Sequence, residues 1–225
     1  MLLLIAGAVA YFVFFSTLFS IRDVLVEGNQ LVPKDKIVNS VPTGNNIFLT
    51  SSEEIKEKLL SEVPEFRDVQ IYKGIPNAVK VVVLEHNKSI IWKSNGRFYL
   101  VSSEGYAYRD VTEDMGNYQA LPRVEDNSNL GIDHRSKIAN ASFVSFVLNI
   151  QNNFFNTVNI EPDYFYITES TFDLYLKTKA GFVVKFDTLR SSKKQLDDLK
   201  RVLAEKRDQV NEYVDLRIDG WAYYK

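Results

Sequence analysis

From Met1 to Ile21 the chain carries no charged residue, and only Tyr11, Ser16, Thr17 and Ser20 interrupt an apolar run that Arg22 ends. As a single helix this stretch would reach about 31 Å at ~1.5 Å per residue, which matches the hydrocarbon core of a bilayer. The pattern predicts a transmembrane helix over residues 1–21. A secretory signal peptide fits less well, because the run exceeds a typical h-region, no basic n-region precedes it and no small-x-small site closes it.

Beyond Arg22 the periodicity changes. Val24 and Val26 alternate with Asp23, Leu25 and Glu27 as a strand does, and Gly28-Asn29 stops it. Pro33 followed by Ile37, Val38 and Val41 predicts a short helix that Pro42-Thr43-Gly44-Asn45 breaks. Ser51-x-x-Glu54 has capping-box spacing, and Ile55, Leu59 and Leu60 give the helix behind it an apolar face. Val69-x-Ile71 and Val79-x-Val81-x-Val83, separated by Lys73-Gly74-Ile75-Pro76-Asn77, read as two paired strands. Ile47 and Phe48, two apolar residues in the connecting loop, are expected to plug this domain's core.

The second half has shorter strands. Ile90-Ile91-Trp92 and Phe98-Tyr99-Leu100-Val101 flank Asn95-Gly96, a strong hairpin signal, and Tyr106-Ala107-Tyr108 follows. A polar loop, 125–131, precedes a helical stripe of Ile138, Ala141, Val144, Leu148 and Ile150. Strands are predicted at 164–168, 172–178 and 182–186, the last two joined by Thr178-Lys179-Ala180-Gly181. Leu196, Leu199 and Leu203 mark an amphipathic helix, and Tyr213 to Ile218 reads as a closing strand. The fold class is therefore α+β, with a membrane helix at 1–21, a first domain at 22–87 and a mixed β-domain with packed helices at 88–225.

Composition narrows the function. A hydrophobic share of 45% and a charged share of 25% suit folded domains, while a net charge of -2 supplies no basic face for nucleic acid. With no cysteine there is no disulfide framework, thiolate nucleophile or thiolate-bound metal. Only His86 and His134 are present, one at a predicted strand end and expected to be solvated, the other in a polar loop, so neither a general base nor a zinc site is indicated. The acidic pairs Glu53-Glu54, Glu125-Asp126 and Asp197-Asp198 read as solvated charges instead of a glycosidase dyad. No glycine-rich phosphate loop is seen. These readings predict no catalytic residue, no metal, no cofactor and no small-molecule substrate.

A strand-helix-helix-strand-strand unit directly after a membrane helix resembles a POTRA domain. Val24-x-Val26-x-Gly28-Asn29, Gly44-x-Asn46-Ile47-Phe48, Val69-x-Ile71-x-Lys73-x-x-Pro76-x-x-Val79-x-Val81-x-Val83-x-Glu85 and Trp92 follow one another as they do in the bacterial FtsQ/DivIB family. Gly105-x-Ala107-Tyr108, Leu121-Pro122 and Tyr213-Val214-Asp215-Leu216-Arg217 extend the likeness through the second domain. The resemblance implies a non-enzymatic cell-division scaffold, single-pass in the cytoplasmic membrane at the septum, with its N-terminus cytoplasmic and both domains outside. It also implies binding to the divisome through small bitopic coiled-coil partners of the FtsB/DivIC and FtsL types.

Such a partner would add a strand to an open edge, where bare N–H and C=O groups act as a template and side-chain pockets give specificity. The predicted contact residues are Tyr213, Asp215, Leu216, Arg217, Ile218, Asp219, Gly220, Trp221 and Tyr223. The competing arrangement puts the closing strand inside the sheet with Trp221 over the core. The alternative functions are an outer-membrane assembly or secretion component, for which a barrel's worth of strands is missing, and a peptidoglycan-binding ectodomain.

Overall fold

In the computed structural model of the chain, which describes residues 1–133 and 135–225, the apolar N-terminal run is helical only from Leu2 to Phe15. This helix, α1, has 14 residues, or about 21 Å of rise, and among the described residues no helix is long and apolar enough to cross a membrane. The single helix expected over 1–21 is thus not formed. Ser16 is extended, a 3₁₀ turn takes Thr17–Phe19, and Ile21 is fully buried among residues of the following domain. Phe19 and Ile21 serve a protein core, which selects for the same side chains as lipid does.

The chain forms two compact units, Met1–His86 and Asn87–Lys225. In the first, β1 (Asp23–Glu27) is followed by α2 (Lys34–Ser40), α3 (Ser52–Glu62), β2 (Phe66–Gly74) and β3 (Ala78–Glu85). The sheet order is β1-β3-β2, with β1 parallel and β2 antiparallel to the central β3. Alternation along β3 turns Val79, Val81 and Val83 onto one face, where Ile37 of α2 and Ile55 and Leu59 of α3 close the core. Ser51 caps α3 by accepting from the Glu54 N–H, as the capping-box spacing predicts. Gly28 ends β1 at φ +87°, and a Cβ there would lie 2.1 Å from the Val83 carbonyl oxygen, so only glycine fits.

Two expectations in this unit need correction. Ile47 fills the core, but Phe48 remains 42% exposed, because residues 46–50 form a turn, with the Leu49 and Thr50 N–H groups both donating to the Asn46 carbonyl, that carries Phe48 off the side Ile47 buries. His86 is 7% exposed instead of solvated, since its N–H donates to the Glu65 carbonyl and draws the end of β3 inward. His134 lies outside the described residues.

The second unit is built on β4 (Ile90–Ser94), β5 (Arg97–Val101), β6 (Ala107–Asp110), β7 (Arg123–Asp126), α4 (Ala141–Val158), β8 (Pro162–Ile167), β9 (Asp173–Thr178), β10 (Val183–Asp187), α5 (Ser192–Lys206), β11 (Tyr213–Asp215) and β12 (Tyr223–Tyr224). Nine strands form one mixed sheet in the order β12-β11-β10-β9-β8-β7-β4-β5-β6. Asn95 and Gly96 both take positive φ, the geometry of a two-residue hairpin between β4 and β5. Helix α4 starts after an Asn140 cap and runs to Val158, eight residues past the last apolar position the sequence stripe offered. Phe143, Val147, Ile150 and Phe154 of α4 and Leu196, Leu199 and Leu203 of α5 bury one face of the sheet. On the other face a smaller cluster of Ile91, Leu100, Tyr108 and Val111 covers the β4–β6 end.

Candidate functional site: the C-terminal sheet edge

The expected closing strand over 213–218 is only three residues long, and its edge is not open. β11 pairs in parallel with β10 through Val183 to Lys185 on one side, and antiparallel with β12 through Tyr223 and Tyr224 on the other. The chain folds back on itself, and the edge of the sheet passes to β12. The reversal begins at Leu216, whose N–H still donates to the Lys185 carbonyl. Next, the Arg217 N–H donates to Asp215 Oδ1 at 3.2 Å, an Asx-type turn that carries the backbone away from the ladder. Leu216 itself is core, 1% exposed, so its side chain is not a surface contact.

Charged side chains hold this reversal in place. Arg217 grips Asp215 through Nε to Oδ1 at 2.9 Å and Nη2 to Oδ2 at 2.7 Å, and Nη1 reaches Asp173 at 3.2 Å. Bidentate pairs of this kind add geometric specificity to their charge. Burial opposes the negative charge of Asp215, but hydrogen bonds and attraction from Arg217, with Lys185 beside them, hold its carboxyl below the usual value of 3.8. Arg217 is correspondingly raised, first by its hydrogen bond to Asp215. Arg190, just before α5, donates to the Leu216 carbonyl at 2.6 Å and also to Asp219, which receives Lys194 at 2.9 Å as well. Lys194 first, then Arg190, lowers the Asp219 carboxyl, although this group is exposed.

The loop so tethered presents Ile218, Trp221 and Tyr223 to solvent, and Trp221 is 69% exposed instead of covering the core. Gly220 takes φ +75° in the turn before it. Between this loop and α5 lies a groove of about 150 Å³, lined by Asp198, Arg201, Val202, Gly220, Trp221 and Ala222. Tyr213 sits back on the sheet face, where the Lys185 ammonium stands 4.0 Å from its ring centre. Of the nine predicted contact residues, the structure therefore gathers Ile218 to Trp221 and Tyr223 on the rim, and puts Tyr213, Asp215 and Arg217 beneath it as support.

Sequence reading missed Arg190 and Lys194, because what ties them to residue 219 is a contact across some 25 positions or more. It also missed the face opposite α4 and α5. There Tyr166 stacks on Tyr175 at 4.9 Å, Arg123 covers Tyr164 at 5.0 Å, and Arg217 lies 6.0 Å from the Tyr175 ring. The alternation Tyr164-x-Tyr166 and Tyr175-x-Lys177 within predicted strands was the available signal.

The acidic pairs do not converge. Glu53 and Glu54 occupy the first turn of α3, Asp126 accepts from the Ser128 N–H, and Asp198 pairs with Arg201. Among the described residues, no group of three or more His, Cys, Asp or Glu side chains could hold a metal ion.

Residues 19–86 match the family described as POTRA domain, FtsQ-type. A cell division protein FtsQ from Chloroflexus aurantiacus is 27% identical over 124 residues, 55% of this chain and 44% of that protein. A cell division protein DivIB from Clostridium botulinum (strain Hall) is 25% identical over 212 residues, 90% of this chain and 80% of that protein. The first unit thus carries an FtsQ-type POTRA domain, and most of the chain is similar to cell division proteins of the FtsQ and DivIB type. The FtsQ-type match runs from Phe19, inside the segment that enters the first unit, through β3 to His86. The DivIB alignment extends over most of the chain. A cell division protein FtsQ from Chloroflexus aggregans, 30% identical, covers 45% of the chain and 38% of its own length.

Proposed function

We propose that this chain is a non-enzymatic cell-division scaffold of the FtsQ/DivIB type, held at the septal membrane by α1, that recruits small bitopic coiled-coil proteins of the FtsB/DivIC and FtsL types. The observation that carries the reading is the end of the large sheet, a two-residue β12 at its rim beside exposed Ile218, Trp221 and Tyr223. A partner strand adds outside β12 and extends the sheet by main-chain hydrogen bonds, while an apolar side chain enters the groove beside Trp221. Large aromatics at such a rim bury much area for little rotamer entropy, which makes them binding anchors. Tyr213, Asp215, Leu216, Arg217, Asp219 and Gly220 shape this edge from beneath and beside it.

Two further features support membrane attachment. Helix α1 is apolar on all sides and exposed along its length, and Arg22 is the first charge after it. In this reading both units lie on the outer side of the membrane, where the coiled-coil partners display their own extracytoplasmic segments. The test uses the full chain in lipid nanodiscs, titrated with the extracytoplasmic segment of an FtsB/DivIC-type protein. Trp221→Ala is expected to weaken binding by about 2 kcal/mol, roughly 30-fold, with the fold intact by circular dichroism. Unchanged affinity in Trp221→Ala, Tyr223→Ala and Ile218→Ala together removes the proposed site.

A further inference from the structure

The junction between α1 and the POTRA unit is built as a cap with an apolar collar. Asn46 Nδ2 donates to the carbonyls of Val13 at 2.8 Å and Phe14 at 3.1 Å, two of the acceptors that a helix leaves open at its C-terminal end. Segment 19–21 then pairs with loop 44–47. The Ile47 N–H donates to Phe19 O at 2.8 Å, the Ile21 N–H to Asn45 O at 2.9 Å, and the Gly44 N–H to Ile21 O at 2.8 Å. Helix and domain are therefore joined by main-chain bonds instead of a free linker.

Around this joint the surface is apolar. The ring of Phe12, in α1, meets that of Phe19 at 6.2 Å, and Phe19 meets Phe48 at 5.2 Å, so an aromatic path leads from the helix onto the domain. Leu18 and Phe48 are about half exposed and Leu49 is 68% exposed. Residues 37–52 contain no charge, and neither do residues 1–21. The cations bordering the patch are bonded to its backbone: Arg22 donates to the Thr17 carbonyl at 3.2 Å and Lys73 to the Thr50 carbonyl.

We infer that the POTRA unit itself enters the membrane surface, with Leu18, Phe48 and Leu49 in the interfacial layer and Arg22 and Lys73 reaching anionic headgroups. This rests on the reading of α1 as a membrane element, and goes beyond it by making loop 46–50 a second lipid contact that fixes the tilt of the domain. The occupant is a bilayer because the collar is continuous with an all-apolar exposed helix and is bordered by two cations, Arg22 and Lys73. In lipid the helix-end carbonyls have no water to turn to, and Asn46 supplies the donors they need. Lys and Arg that flank apolar side chains keep their charged heads in water or at lipid headgroups while their stems lie along the apolar surface.

The chain has no cysteine, so one introduced thiol reports alone. Full-length Leu49→Cys, Val9→Cys and Ser61→Cys variants are labelled with an environment-sensitive fluorophore and placed in phosphatidylcholine–phosphatidylglycerol vesicles. Spin-labelled lipids then quench from the headgroup level or from the bilayer centre. Ser61 is near the far end of α3, about 15 Å along the helix from its start, and stands for the aqueous side. The expected result is loss of fluorescence at position 49 to the headgroup quencher, loss at position 9 to the deep quencher, and no loss at position 61. Quenching at 9 with position 49 behaving like 61 overturns the collar and leaves the anchor standing. No quenching at 9 overturns both. Phe48→Cys repeats the reading at a second collar position, with circular dichroism confirming the fold.

Discussion

Segment 16–21 enters the first unit through main-chain hydrogen bonds to residues 44–47 and buries Ile21, whereas segment 216–219 leaves the second sheet under the hold of Arg190, Lys194 and Arg217. Both are places where the chain passes from regular structure to a surface that the proposed function uses. The first is secured by apolar burial and backbone bonds, which salt and pH hardly reach. The second is secured by charges at least partly in water, which both reach directly. Under the proposed function, a membrane joint that keeps its angle and a docking rim that adjusts to a partner call for these different fastenings.

The sharpest way to break the contrast is Ile21→Ala, which leaves a cavity at the joint and is expected to cost about 2–5 kcal/mol. Amide hydrogen exchange in 22–86 reads the loss, and unchanged protection there would show that Ile21 is not part of the core. Next is Arg217→Ala, which strips a half-buried carboxylate of its bidentate partner and is expected to cost about 1.5–3 kcal/mol in the second unit alone. Both tryptophans, Trp92 and Trp221, lie in that unit, so their fluorescence follows its unfolding without interference from the first.

Acid sharpens the comparison further. Asp215 is more acidic folded than unfolded, so its contribution is present above the ordinary carboxylate value of 3.8 and fades as pH falls through its lowered folded value. Asp110 shifts the same way within the second unit. The first unit has a like shift only at Asp68, whose side chain is 44% exposed against 15% for Asp215. Tryptophan-detected stability of the second unit is therefore expected to drop below about pH 4, and Asp215→Asn to flatten that drop. Equal acid loss in the two units would contradict the assignment. The smallest effect is that of Asp219→Asn, which should leave unfolding unchanged while speeding hydrogen exchange in residues 216–222, because it unties the loop from Lys194 and Arg190.

Local signals in the sequence carried much of this architecture. Asn95-Gly96 named its hairpin, Ser51-x-x-Glu54 its cap, and the spacing of Leu196, Leu199 and Leu203 the helix that covers the sheet. The failures share one cause, namely that apolar character reports burial without saying in what. Leu18, Phe19 and Ile21 looked like lipid-facing turns of a helix, yet Phe19 and Ile21 belong to a protein core. Leu216 looked like a contact residue and is interior. Phe48 was expected inside and is half outside. β12 was invisible because two residues show no alternation, and its pairing with β11 is set by a turn whose fastenings come from Arg190 and Lys194. The rim of the candidate site was legible residue by residue, but its order, with β12 outermost, was not.

β12 has only two residues, and that brevity limits what can attach to it. A long flat border would recruit any extended peptide, including another copy of this chain, and invite fibres. A border this short offers too few backbone groups to retain a stranger. For the proposed partner, residence would then depend on side chains that match Ile218, Trp221 and Tyr223, so the same economy that disfavours edge-to-edge self-association would make the choice of guest selective.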